Sequence, residues 1–555
     1  MIRFFRHPRQ PHPAIATELA DHAAGRVSRR EFLTRVTALG LSAGAARALI
    51  GLAPAPAGAQ PAPPPGGTVR IQMEVRALPD TRTWDWSQMA NICRGVLEYL
   101  VEYETDGAFR PMLLERWEVS DDGREYLLKV RPGVTWSNGD AFTAADVARN
   151  IARWCERDVP GNSMAGRMAS LLDPATGRAA EGSIEVVDPA TVALHLPRPD
   201  ITLIAGMADY PAAIVHASYD PGDTRNAIGT GPYRIEEMEV GARAVLTRIP
   251  GRDWWGTAIH GGPYLERIEF LDHGPDPAAW VGAAEAGEID MVYETVGDYV
   301  EIMDTIGWTR SEVDSAATVC IRPNQRAEIE GRRPYADARV RKALQLAVNN
   351  SILLELGYGD RGIRAENHHV APLHPEYADI GQAPHDPARA LDLMREAGME
   401  DYEHDLISID DDWRRNTADA AAAQLRDAGI RVKRSILPAP AFWGAWRAHP
   451  FSATDWNHRP LGVQVLALAY RSDTVWNETG FADPEFDATL DEALALDDAT
   501  ARQAKTRRLE EILQGQGVII QPYWRRLFRH HVPGLEGAEM HVMFEIHPYK
   551  LAFSA

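Results

Sequence analysis

Cysteine is scarce in this 555-residue chain: Cys93, Cys155 and Cys320 stand far apart and in no motif. That excludes a disulfide-stapled scaffold and any C-x-x-C redox or zinc site. A chain this long buries large cores without staples, so the three are read as buried thiols, with a single disulfide left open. Lysine is rare too, and no Lys/Arg run relieves a formal net charge of −21. Phosphate backbones demand basic patches, so nucleic acid is excluded as a partner. A Walker A loop, a G-x-G-x-x-G turn after a strand and an H-E-x-x-H helix are all missing. His368-His369, with Glu366 near, and His530-His531 are the only histidine clusters, and adjacent histidines point apart rather than onto one ion. No catalytic residue, metal ligand or cofactor is assigned.

What is present begins with an address. Ser28-Arg29-Arg30-Glu31-Phe32-Leu33 is a twin-arginine export signature, followed by a mildly apolar stretch from Val36 to about Leu52 and by Ala57-Gly58-Ala59, an A-x-A cleavage site. Arg47 interrupts the stretch, which is too short to span a bilayer. The expectation is export to the periplasm by the twin-arginine machinery, with cleavage after Ala59. Residues 1–59 carry eight arginines and three acids, so their loss takes the charge from −21 to −26. Gly40-Leu41-Ser42-Ala43-Gly44 matches the serine-hydrolase elbow, but no strand precedes it, and it is not read as a nucleophile.

Beyond the Pro/Gly leader 60–67 the chain reads as alternating strands and helices, hence α/β domains, about three by length. Thr68–Val75 and Glu125–Val130 read as strands. Met89–Tyr99 reads as a helix with Ile92, Val96 and Leu100 on one face. Thr143 opens a helix toward Trp154, and Asp188-Pro189-Ala190-Thr191 joins a hairpin. Asp276-Pro277 opens a helix that Gly287 closes before a strand at Ile289–Tyr293. Asp337 caps a helix, Asp386-Pro387 opens one that Gly398 closes, and a helix at 417–428 precedes a strand at Ile430–Ile436.

Several of these segments resemble the family 5 extracellular solute-binding proteins, the peptide and nickel receptors of ABC importers. Trp117–Val147, Ile228–Gly256, Glu285–Asp290, Pro334–Ala347, His385–Gly398 and Trp476–Leu490 carry the resemblance, in the family's order. It implies a bilobed, periplasmic-binding-protein-like α/β fold (type II, cluster C-like) with three domains and a central ligand cleft. Domain I would comprise 66–110, 227–315 and 518–555, domain II the insertion 111–226, and domain III 316–517, with hinge crossings near 315 and 518. It also implies a monomer that closes around a small polar solute, peptide- or opine-like, and hands it to permease subunits in the inner membrane.

The ligand candidates follow the resemblance. On domain I they are Arg76, Trp84, Trp86, Met89 and Asn91; on domain III they are Trp443, Trp446, Trp456, Asn457, His458, Arg459 and Trp476. Tryptophan offers flat apolar area with one N–H donor, which suits sugars, peptide planes and cations. Peptide receptors of this family carry a W-x-x-D element whose acid meets the ligand's ammonium; here it reads Trp456-Asn457-His458-Arg459. An arginine there suits an anionic group, unless it is held in an internal salt bridge. Asp455 stays open as an amine partner. A metal or metallophore carrier and a sensory co-receptor are the alternative functions.

Overall fold

The computed structural model describes residues 11–52, 66–496 and 498–554. The cleavage motif 57–59 and most of the leader 60–67 lie outside them. The helices begin where short acids and prolines satisfy free N–H groups. Asp276 accepts from Ala278 N–H ahead of Pro277–Glu285, Asp337 caps Ala338–Leu346, and Asp386 caps Pro387–Glu396. The three cysteines are buried and free.

The main sheet joins two halves, each built on three parallel strands, through a pair of long antiparallel strands. In one half Thr68–Gln72 lies between Arg267–Leu271 and Met291–Val292, parallel to both. In the other, His404–Ile409 lies parallel to both Val432–Leu437 and Phe451–Trp456. Between them run Thr309–Pro323 and Tyr523–His531, paired from Thr309↔His531 to Thr318↔Trp524 with a register break between Asp314 and Thr318. Helices Pro277–Glu285 and Trp413–Asp427 make the parallel crossovers. A separate antiparallel sheet in the order Leu114–Val119, Glu125–Val130, Thr191–His195, Ile184–Asp188 carries helix Ala144–Trp154, and Trp117, Trp136 and Phe142 are buried in its core.

Three elements are shorter than the sequence pattern predicts. The Met89–Tyr99 helix is Ser87–Cys93. It stops because the backbone carbonyls of Gly95 and Val96 accept from Tyr233 and Gly231 N–H at 2.9 and 3.0 Å. A Cβ at Gly229 would lie 1.9 Å from Val96 O, so this close approach requires glycine. The first strand ends at Gln72, where Val75 N–H turns to the Asp272 carboxylate at 2.9 Å. The strand expected at Ile289–Tyr293 is confined to Met291–Val292; Asp290 instead pairs with Arg70 at 2.7 Å.

Residues 14–49 form three helices, Ala14–Ala23, Arg29–Ala38 and Ala43–Leu49. Ser28 and Glu31 make a capping box, and Phe32, Leu33 and Val36 are buried in a small core shared with Ala108. Arg35 pairs with Glu18 at 3.0 Å and donates to Pro375 O at 2.5 Å, while Thr34 Oγ1 donates to Gly107 O at 2.8 Å. Among the described residues no helix is long and apolar enough to cross a membrane.

Candidate functional site

In open parallel sheets a ligand sits beyond the carboxyl ends of the strands, and a large cavity lies there. Its volume is about 360 Å³. Gln72, Met73, Glu74, Arg76, Asp272, Tyr293 and Glu294 enter it from strand ends on one side; Ile409, Asp411, Asp455 and Asn457 do so on the other, and Arg525 enters from a long central strand. Trp86 and Trp443 pack against each other on its wall, tilted by 57° with centroids 4.4 Å apart, and the Arg76 guanidinium lies 5.3 and 5.7 Å from their centroids. Asn457 Nδ2 reaches Ser87 Oγ at 3.3 Å.

Six carboxylates line the cavity against three arginines, so its wall is acidic. Arg76 pairs with Glu74 at 2.7 Å, Arg414 with Asp455 at 2.7 Å and with Asp411, and Arg525 with Glu294. Burial pushes the carboxyls of Glu294, Asp411 and Asp412 above their ordinary range, against the pull of Arg525 on the first and Arg414 on the second. The proximity of Asp411 raises Asp412 further.

A second, narrow pocket of about 20 Å³ adjoins the cavity and shares Trp86, Asp455 and Asn457 with it. Trp446, Trp456, Trp476 and Tyr210 supply its other rings, and Asp85 lines it. Trp476 Nε1 donates to Asp85 Oδ1 at 2.9 Å and Trp446 Nε1 to Oδ2 at 3.4 Å. Trp456 Nε1 donates to Glu478 at 2.8 Å.

The residues named from sequence divide into three groups. Arg76, Trp86, Trp443 and Asn457 line the cavity, and Trp446, Trp456, Trp476 and Arg459 line the narrow pocket. Trp84, Asn91 and His458 line neither and are buried. Trp84 Nε1 donates to Pro79 O at 3.0 Å, Asn91 bridges Phe544 O and Ile546 N–H, and His458 Nδ1 accepts from Ala316 N–H at 3.1 Å. Half-buried Met89 packs on the core.

Arg459 is the informative case. It is 2% exposed, its Nε lies 3.0 Å from Asp209 Oδ2, and its two Nη groups donate to Asn457 O, His458 O and the Tyr210 hydroxyl. Asp209 also holds Arg167 at 2.5 Å. To receive a ligand anion, Arg459 would have to exchange a fully buried carboxylate partner. Sequence reasoning missed Asp85, Glu294, Asp411, Asp412 and Arg525; the acidic run Asp410-Asp411-Asp412 after a strand was the one signal available for two of them.

The histidine pairs serve the interior. His368 Nε2 meets Glu366 at 2.7 Å, His369 Nδ1 meets the Tyr470 hydroxyl at 2.8 Å, and His530 Nδ1 meets Thr295 Oγ1 at 2.9 Å. Among the described residues one group, His541, Glu545 and His547, brings three ligand-type atoms within 4.8 Å. None of the three lines the cavity. Glu545 is paired with Arg94, and both His541 nitrogens are engaged, with Met543 N–H and Tyr103 O.

Residues 108–475 match the family model for bacterial extracellular solute-binding proteins, family 5. The chain belongs to that family. It is 26% identical over 470 residues to the nickel-binding periplasmic protein of Escherichia coli, covering 77% of this chain and 83% of that one. It is 25% identical over 306 residues to the dipeptide-binding protein of the same organism, covering 52% and 55%. A solved structure of AgaA from A. tumefaciens in complex with agropinic acid superimposes with a TM-score of 0.76 at 19% identity, covering 88% of this chain and 99% of that one. The chain is therefore a family 5 solute-binding protein of the ABC-importer type, with a bilobed α/β fold, and it is not an enzyme.

Proposed function

We propose that this protein is exported through its twin-arginine segment, loses residues 1–59, and works as a monomer that captures a small polar solute of the peptide- or opine-like kind. The halves of the molecule close on the solute and deliver it to the permease. Domain I is 66–110, 227–315 and 518–555, domain II is 111–226, and domain III is 316–517. The register break at Asp314–Thr318 supports a hinge near 315.

The observation that carries this reading is the cavity itself: about 360 Å³, walled by a packed pair of tryptophans and by charges drawn from strand ends of both halves. Such a space matches a solute of a few residues' size rather than a protein chain. An anionic end of the solute is better met by Arg76 than by Arg459, because Arg76 holds a single, partly exposed partner in Glu74. Native mass spectrometry of protein purified from the periplasm tests the reading. The expected result is a mature chain beginning at Gln60 with one small solute bound. A chain that retains residues 1–59, or that binds no small solute from a metabolite pool, contradicts it.

A further inference from the structure

We propose that the narrow pocket at Asp85 takes a primary ammonium group of the ligand, with Asp85 as counter-ion and the surrounding indole rings as walls. The proposal deepens the solute-binding reading and rests on it.

The first argument is charge. In the cavity Glu74, Glu294, Asp411 and Asp455 each have an arginine, and Asp272 is committed to the N–H groups of Val75 and Gly274. Asp412 accepts from Asn416 Nδ2 at 3.0 Å. Asp85 has two indole N–H donors and, among the described residues, no cation within salt-bridge distance. A carboxylate so placed still has lone pairs to offer.

The second argument is the wall. Trp86, Trp446, Trp456, Trp476 and Tyr210 surround the pocket. Ring faces carry negative potential and attract cations; Arg459, which also lines the pocket, lies over Tyr210 and Trp476 with its charge held by Asp209 at 3.0 Å. The third is size: about 20 Å³ holds one water-sized group, an ammonium and not a trimethylammonium. The fourth is access. Trp86, Asp455 and Asn457 belong to both spaces, so a slender stem can enter from a ligand lying in the large cavity.

A competing role for Asp85 is charge balance. The cations that act on Asp85 through space are Arg447 and Arg76, neither within salt-bridge distance, and Asp85 could serve to balance them. The acid also lies on the segment after the first strand, across the pocket from Trp456–Arg459, so the pairing is not readable from that motif.

The test uses the full chain, exhaustively dialysed, and the low-molecular-weight fraction of yeast extract. Half of that fraction is treated with acetic anhydride, which caps its amines, and captured species are read by native mass spectrometry. The expected result is capture from the untreated half and occupancy about ten- to a hundredfold lower from the acetylated half. Asp85→Asn, which keeps the acceptor for an indole N–H, loses capture while its melting temperature holds. Equal capture from both halves overturns the ammonium assignment and leaves solute binding standing. Unchanged capture by Asp85→Asn with a lowered melting temperature also overturns it, and assigns Asp85 to balancing Arg447 and Arg76. Capture from neither half overturns the solute-binding reading as well.

Discussion

The groove under the N-terminal helices and the cleft between the sheet halves both lie between layers of the fold, but they differ in what lines them. The groove encloses about 210 Å³, and the helix above it fills the contact with Phe32, Leu33 and Val36 while Arg35 is matched to Glu18 and to a carbonyl. Acids outnumber arginines two to one in both, and burial raises the Glu18 carboxyl in the groove as it raises Asp411 and Asp412 in the cleft; what the cleft adds is indole rings along its open space. An interface closed by its own chain satisfies its polar groups internally. An interface meant for an exchangeable partner leaves some of that satisfaction to the partner. The Asp209 cluster behind the narrow pocket follows the first rule, even though its sequence neighbourhood suggests the second.

The largest effect that can break this contrast is on Asp209. Asp209→Ala strands two buried guanidiniums and should cost about 3–5 kcal/mol of stability. Denaturant unfolding checks it. A loss of less than about 1 kcal/mol would mean that Arg167 and Arg459 find other partners and belong with the cleft rather than the frame.

The next effect is on pH dependence. Burial pushes the Glu510 carboxyl up to about 9, with Ala378 N–H opposing, and its Oε2 has no hydrogen-bond partner. Between pH 4.5 and 9 the folded chain therefore holds a proton there that the unfolded chain has released. Stability is fullest below the unfolded value and falls as pH rises through the folded one, by up to about 1.4 kcal/mol per pH unit from this group. Glu510→Gln should flatten that slope in thermal melts taken from pH 5 to 9; an unchanged slope would show the group to be ionised in the fold.

Smaller again is the effect of removing one wall of the cavity. Trp443 is half-buried and packs against Trp86, so Trp443→Ala should weaken solute capture by roughly tenfold, about 1–2 kcal/mol, with little change in melting temperature. A large drop in melting temperature with unchanged capture would make it a packing residue. The smallest expected effect is that of deleting residues 1–59: affinity should stay within about twofold of the full chain by calorimetry. Lost affinity would make the docked helices part of the binding machinery.

Sequence reasoning recovers what local chemistry decides. The Asp–Pro starts of Pro277–Glu285 and Pro387–Glu396 were readable because a cap is satisfied within a few residues. The end of Ser87–Cys93 was not, because the glycines that stop it lie more than 130 positions away, at 229 and 231. Trp86 and Trp443, legible in the sequence as large rings, both line the cavity. Asn457 and His458 illustrate the limit: successive residues leaving a strand point to opposite faces, so one reaches the cavity and the other the Ala316 backbone. Arg459 differed for a related reason: its partner Asp209 lies 250 positions upstream, and no local pattern announces the pair.

The most direct test of the whole account is small-angle X-ray scattering during titration with the captured solute. Closure of the two halves on one ligand predicts a single saturable decrease in the radius of gyration, complete at one equivalent, and absent when Trp86 and Trp443 are both alanine. A radius that stays constant while calorimetry records binding would contradict it.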